Sequence, residues 1–262
     1  GLKVTERAEY EFRAMDMGNV MHMALEKFAA EVRKEGLDWA ELTEEERNRI
    51  IDSCLDQVSA DYGNTILKSS ARNEYMIERT RRILRRTVWA LQEQLKHGAF
   101  RPEGFEVRFQ GGRIDRVDIM EEPENNRVYV KVIDYKTGNT SFDLLALYHG
   151  LQLQLMVYLD GALQVEKRKY PDREIVPAGV FYYNVKDPMI QEKIHADMES
   201  INEQMLKKMK MNGLVQADDN MSTKIDSTMA SIPVSLNRDG SFSKRSSVAS
   251  RKQFDALGAY VR

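Results

Sequence analysis

The sequence predicts an α+β (mixed α/β) architecture: helices first, then a run of strands, then a helix that crosses over to one more strand. Three observations carry that expectation. Apolar residues recur at helical spacing over residues 16–97, three successive segments between 105 and 136 alternate with period two, and an apolar helical run from 144 leads into a strand rich in β-branched and aromatic residues at 174–183. The 262 residues, 42% hydrophobic and 31% charged, suffice for a substantial core. A formal net charge of -2 excludes a surface that grips nucleic acid everywhere, so any such contact must use a local basic patch. The single cysteine, Cys54, excludes an internal disulfide framework and a cysteine-built metal cluster within this chain. With no signal-peptide pattern and no long apolar run, a cytoplasmic compartment without membrane association is expected. There is no Walker A loop, no strand-borne dinucleotide glycine pattern and no His-Glu-x-x-His, so ATP hydrolysis by these residues is not expected.

Taken in order, Gly1 to Tyr10 is polar and uninformative. A first helix is predicted from Asp16, as its cap, to about Val32, with Val20, Met21, Ala24, Leu25, Phe28 and Val32 on one face. His22 lies in it, one turn ahead of Glu26. Thr43 and Glu46 form a capping box that opens a second helix running to about Tyr62, with Gly63-Asn64 as its stop. Cys54 falls in its apolar stripe, as a buried thiol. A third helix spans about Ser70 to His97. Its outer side carries Arg72, Arg79, Arg81, Arg82, Arg85 and Arg86, either a solvated face or a phosphate-contacting strip.

Pro102 and Gly104 break the helical pattern, and Phe105 to Gln110 alternates as a strand. Gly111-Gly112 turns into a hairpin whose arms read Gly112-Arg113-Ile114-Asp115-Arg116-Val117-Asp118 and Val128 to Lys136. Ser141 and Asp143 cap one long helix from Leu144 to about Lys167, apolar nearly all round and therefore expected to be buried. Gln152, Gln154 and Tyr158 interrupt its apolar surface. The strand from Glu174 to Tyr183 is expected to pair with the one before the helix as a βαβ crossover. An amphipathic helix is predicted over Gln191 to Met211, with Met198, Ile201, Met205, Leu206 and Met209 inside. From Gln216 to Ser231 the chain loses periodicity and reads as an exposed loop, then come a short strand at Ile232 to Leu236, a turn at Asn237-Arg238-Asp239-Gly240, its partner Ser241 to Lys244, and a last helix from Phe254 to Val261.

Chemistry concentrates on the hairpin. Alternation puts Asp134 and Lys136 on the face of Val128, Val130 and Val132, and puts Asp115 with Val117 and Ile119, so the two aspartates could meet on one surface of the sheet. The next helix brings Gln154 and Tyr158, four apart and hence on one face. Oxygen donors of this kind suit Mg²⁺ or Mn²⁺ rather than a closed zinc site. Lys136 could orient or deprotonate a water, or stabilise charge in the transition state. A structural Asp134–Lys136 salt bridge is the plainer alternative.

Gly-x-Ile-Asp-Arg-x-Asp, then Ile-Asp-Tyr-Lys-Thr-Gly, then Gln-x-x-x-Tyr resembles the PD-(D/E)xK nuclease superfamily, and within it the RecB-type branch. Gly18-Asn19-Val20-Met21-His22 matches that branch's upstream Gly-x-x-x-His. The resemblance implies a restriction-endonuclease-like core, a central mixed sheet flanked by helices. It implies His22, Asp115 and Asp134 as metal ligands, with the main-chain carbonyl of Tyr135 as a further one, Lys136 as the catalytic lysine, and Gln154 and Tyr158 as the pair that positions DNA and supports the site. It divides the chain into an N-terminal helical part (1–103) carrying the histidine, an α/β core (104–214) and a C-terminal extension (215–262), all of one nuclease domain.

More narrowly, Leu-Gln-Leu-Gln-Leu-Met-Val-Tyr-Leu and Ile-Pro-Val-Ser-Leu-Asn-Arg-Asp-Gly-Ser-Phe-Ser-Lys make nearly the whole chain similar to the C-terminal nuclease domain of the AddB family, one of the two components of AddAB helicase-nucleases. That implies a Mg²⁺-dependent exonuclease (Mn²⁺ substituting) acting on single strands of an unwinding DNA end, in double-strand-break repair and recombination, with an AddA-like subunit as partner. The family usually carries four cysteines for an iron–sulfur cluster, one upstream and three downstream. None stands at such positions here, so the chain reads as a piece lying between them. The alternatives are a free-standing Cas4-like exonuclease and a catalytically inactive DNA-binding or partner-docking domain of the same fold.

Overall fold

A computed structural model describes residues 14–63, 71–189 and 197–261. Three helices, α1 (Ala14–Lys34), α2 (Glu44–Gly63) and α3 (Ala71–Lys96), precede β1 (Arg101–Phe109), β2 (Gly112–Glu122) and β3 (Arg127–Lys136). Then come α4 (Leu144–Tyr148), α5 (Gln154–Lys169), β4 (Glu174–Asn184), α6 (Met198–Lys208), β5 (Asn212–Gln216), α7 (Met221–Ile225), β6 (Val248–Ala249) and α8 (Arg251–Val261). The six strands form one mixed sheet in the order β1-β2-β3-β4-β5-β6. β1, β2 and β3 pair antiparallel, β3 and β4 parallel, β4 and β5 antiparallel, β5 and β6 parallel. The α+β prediction holds, including the parallel β3–β4 crossover.

Alternation sorts the strand side chains into two cores. Tyr129, Ile133, Tyr135, Phe181 and Tyr183 pack beneath the N-terminal helices with Phe28, Ile51, Leu84 and Trp39. Val128, Val130, Val132, Val180 and Leu214 pack on the other face against Leu155, Met156 and Leu159 of α5 and Phe254 of α8. Helices therefore cover both faces of the sheet, and its hydrophobic strands need no polar side. The predicted capping box is present: Glu46 N donates to Thr43 Oγ1 at 3.2 Å, and Thr43 N donates to Glu46 Oε2 at 3.0 Å.

The N-terminal core also holds a buried ion cluster. Arg116, Asp118 and Lys131 are essentially inaccessible to solvent. Asp118 accepts from Arg116 Nε at 2.6 Å and Nη2 at 2.9 Å, and lies 3.0 Å from Lys131 Nζ. The guanidinium stacks 5.0 Å from the Trp39 ring centroid. Burial alone would push the Asp118 carboxyl up, but Arg116 and Lys131 outweigh it and hold it below the usual carboxylate range.

Asp226, just after α7, organises a tight loop. Its carboxylate accepts from Thr228 N at 2.9 Å, Thr228 Oγ1 at 2.6 Å, Ser231 N at 2.9 Å and Ser231 Oγ at 2.6 Å. Burial works to raise this carboxyl, and the four hydrogen bonds overcome it and hold it low. A depressed carboxyl contributes stability that is present above its unfolded value, about 3.9, and is lost as pH falls through the folded one. Asp226→Asn is therefore expected to lower stability at pH 7 and to flatten its acid dependence below about pH 4 in urea melts at a series of pH values.

The structure corrects several element predictions. The single helix from Leu144 to Lys167 is two, α4 and α5. Asp143 caps α4 through Leu145 N and Ala146 N, at 2.8 and 3.2 Å. Gln152 then ties the break back, accepting from Asp143 N at 2.9 Å and donating to Ser141 O at 3.1 Å. Gly150, at φ +75°, makes the reversal that a side chain would resist. Leu145 and Leu151 consequently stand exposed, at 66% and 77%, rather than buried. β1 starts at Arg101, through the Pro102–Gly104 segment read as a break, with a register shift there. α7 lies within the expected loop, β5 and β6 form where no element was assigned, and Ile232 to Lys244 contributes an isolated Leu236–Phe242 bridge around the Asn237–Gly240 turn. Met198, expected inside, is 70% exposed at the start of α6. α1 is already helical at Ala14, so Asp16 lies within the helix rather than at its cap; the Asn64 stop, the Ser70 start and the stretch from Gln191 to Ala196 lie outside the described residues.

Candidate active site

Five elements, α1 and α5 from the two helical layers and strands β1, β2 and β3, meet at one end of the sheet. Gly18 sits one turn before His22 on α1. A Cβ at Gly18 would stand 3.0 Å from Thr137 Oγ1, so glycine lets α1 lie against the end of β3 and brings His22 over it. From the opposite layer, the break before α5 puts Gln154 in its first turn, facing Lys136. An open cavity of about 800 Å³ is lined by His22, Asp115, Asp134, Tyr135, Lys136, Gln154 and Tyr158, together with Asn19, Met23, Glu26, Glu106, Arg113 and Thr137.

Asp115 arrives there by a route that strict alternation does not describe. Counted outward from Phe109–Gly112, the β1–β2 pairs include Val107–Ile114 and Phe105–Arg116, so Glu106 stands opposite Asp115. Val107 and Ile114 pack in the core under α5, whereas Phe105 lies on the N-terminal core and Arg116 stacks over it. Both strands change face at this one pair. Glu106 carries the change in its backbone, at φ +49°. Asp115 therefore does not share the face of Val117 and Ile119. It turns to the strand end, where its Oδ2 accepts from Tyr135 N at 2.7 Å and lies 3.6 Å from His22 Nδ1.

Asp134 keeps its predicted face. Its Oδ2 lies 2.6 Å from Lys136 Nζ. Lys136 in turn donates to Gln154 Oε1 at 3.1 Å, and Gln154 Nε2 donates to the Tyr158 hydroxyl at 3.0 Å. The lysine is thus fixed between a carboxylate and an amide. Burial works against its charge, and the bond to Asp134 more than restores it, so the amine is held as an ammonium.

The acids here are under strain. Burial, then the neighbouring Asp134, pushes the Asp115 carboxyl up to about 7. Burial likewise raises Asp134 and Glu106, and lowers His22 so that the imidazole is favoured neutral. Asp134 is offset by Lys136 and Glu106 by Arg113, whereas the partly buried Asp115 carboxylate bonds to neither, and such a group is unfavourable unless something positive joins it. Among the described residues, ligand atoms of His22, Glu106 and Asp115 all lie within 4.8 Å of one another. Asp134 lines the same cavity but, turned to Lys136, lies outside that group. One neutral imidazole and several carboxylates around a cavity fit a hard divalent cation.

Glu106 is the site residue that pattern reading misses. Its strand alternation marks it as an ordinary outward carboxylate. The signal that could find it is the register: counting pairs from the Gly111-Gly112 turn puts it across from Asp115. The arginines of α3 mostly occupy the solvated face, one of the two expectations, with Arg72, Arg79, Arg82 and Arg85 exposed, and Arg81, Arg82, Arg85 and Arg86 also form ion pairs. Arg81 lies 2.8 Å from Asp56, Arg82 2.7 Å and Arg86 2.8 Å from Asp187, and Arg85 pairs with Asp52. They tie α3 to α2 and to the segment after β4.

The model of the PD-(D/E)XK nuclease superfamily matches residues 1–262. Among curated proteins, the chain is similar over its whole length to the B subunits of the ATP-dependent helicase/deoxyribonucleases of Lachnoclostridium phytofermentans (41% identical, 24% of the relative covered), of Alkaliphilus metalliredigens (36%, 25% covered) and of Clostridium botulinum (35%, 25% covered). The chain spans about a quarter of the length of these relatives. No helix among the described residues is long and apolar enough to cross a membrane.

Proposed function

The chain belongs to the PD-(D/E)XK nuclease superfamily, and from that premise we propose that it is the Mg²⁺-dependent nuclease domain of an AddB-type helicase/deoxyribonuclease subunit. Its reaction is phosphodiester hydrolysis, as an exonuclease, on single strands of an unwound duplex end in double-strand-break repair and recombination. An AddA-like helicase-nuclease subunit is its partner, and Mn²⁺ substitutes for Mg²⁺. The observation that carries the reading is the convergence of His22, Asp115, Asp134, Lys136, Gln154 and Tyr158, from strands and helices far apart in sequence, on one cavity.

In this reading His22, Asp115, Asp134 and the Tyr135 carbonyl hold the cation. When bound, such an ion lowers the pKa of water and neutralises charge on a phosphodiester. Asp115 is pre-set for its role by the Tyr135 N–H, and His22 by its neutral ring. Lys136, an ammonium pinned by Asp134 and Gln154, offers positive charge where the pentavalent phosphorane would carry excess negative charge, which favours electrostatic stabilisation over proton abstraction. Gln154 and Tyr158 hold that ammonium and border the path of the strand.

The test is degradation of end-labelled single-stranded DNA by the purified chain, and by the complete two-subunit enzyme carrying it, with Mg²⁺, with Mn²⁺ and with chelator. Cutting that requires the metal and leaves ends from which nucleotides are progressively lost is expected. Metal-independent cutting, or none by the complete enzyme, would overturn the reading.

A further inference from the structure

We propose that Glu106 is a further side-chain ligand of the divalent cation, an inference that rests on the metal-dependent reading above. Three observations support it. Its carboxylate belongs to the group with His22 and Asp115 whose ligand atoms lie within 4.8 Å of one another. It is opposite Asp115 across β1 and β2, at the one pair where both strands change face, so the feature that delivers Asp115 to the cavity delivers Glu106 with it. Its side chain is only 11% exposed, so water does little to screen it from Asp115.

Charge balance points the same way. Glu26, Glu106, Asp115 and Asp134 line the cavity against Arg113 and Lys136, a formal excess of two negative charges with His22 neutral. A divalent cation cancels that excess. Glu26 and Arg113 are both exposed, where solvent screens them, so the buried excess of two rests on Glu106, Asp115 and Asp134 against Lys136. Arg113, across the hairpin, pairs with Glu106 and is itself 59% exposed. The competing role for Glu106 is therefore to hold Arg113 at the cavity mouth, without touching the ion.

Mn²⁺ titration followed by electron paramagnetic resonance separates the two roles without depending on catalysis. Glu106→Gln is expected to weaken Mn²⁺ binding about tenfold or more. Arg113→Ala is expected to leave the affinity unchanged or higher, because it frees the carboxylate. Glu106→Asp keeps the charge but withdraws the oxygens, and is expected to weaken binding too. Circular dichroism in chelator checks that each variant is folded. A folded Glu106→Gln or Glu106→Asp with wild-type affinity overturns the proposal, as does an Arg113→Ala that reproduces the Glu106→Gln loss. Wild-type protein that binds no Mn²⁺ overturns the metal reading itself, and this proposal with it.

Discussion

Asp118→Ala is expected to lower folding stability by about 3–5 kcal/mol, the range for removing one partner of a buried ion pair. Among the described residues, the carboxylate is the sole anion bonded to both Arg116 and Lys131, in a cluster that solvent does not reach. Its loss leaves two cations facing each other in the N-terminal core, with the Trp39, Phe105 and Phe100 rings and the Tyr135 hydroxyl nearby and Asp226 acting on Lys131 without an ion pair to it among the described residues. Neither cation can reach water without disrupting the sheet. A loss of this size is comparable to the whole stability of a marginal domain, about 5 kcal/mol at the low end. Urea denaturation in chelator measures it, and a change below about 1 kcal/mol would show that the cluster is not carrying the charge balance of this core. The consequence reaches the site, because Arg116 donates to the Tyr135 hydroxyl at 3.5 Å, and the backbone N–H of Tyr135 orients Asp115.

Asp134→Ala is expected to reduce Mg²⁺-dependent DNA cutting by roughly 10³-fold or more, as fits the several kcal/mol of transition-state stabilisation attributed to a bound metal. On the proposed reading the substitution removes a cation ligand, and it takes away the carboxylate partner of Lys136, leaving the Gln154 amide and the Tyr182 ring. Folding stability in chelator is not expected to fall, since burial already disfavours the ionised Asp134 carboxylate. That separation between lost activity and retained stability is what distinguishes a working carboxylate from one arm of a structural salt bridge. Single-turnover cutting rates and urea melts on the same preparation decide between them. Wild-type rates in Asp134→Ala would defeat the assignment.

Much of this is readable in residues alone. The α1, α2 and α3 stripes, the capping box at Thr43 and Glu46, and the β3–β4 crossover follow from periodicity and caps, because long regular elements average over many side chains. β5 has five residues and β6 two, too few for a period to register. The break between α4 and α5 is hidden inside an apolar run whose one warning is Gly150. Of the candidate residues, helix and strand geometry puts Asp134, Lys136, Gln154 and Tyr158 near where they stand, whereas His22 is legible only through the Gly18-x-x-x-His22 resemblance. Asp115 differs: a period of two cannot foresee a pair at which two strands reverse face together. The same blindness conceals Glu106, whose neighbour across the hairpin matters more than its neighbours along the strand.

The most direct test of the account is the anomalous difference density of crystals of the chain soaked in Mn²⁺. The account predicts one strong peak bounded by His22, Asp115 and Asp134, with oxygen or nitrogen contacts of about 2.0–2.5 Å. Ordered Asp115 and Asp134 side chains with no peak between them at saturating Mn²⁺ would contradict it.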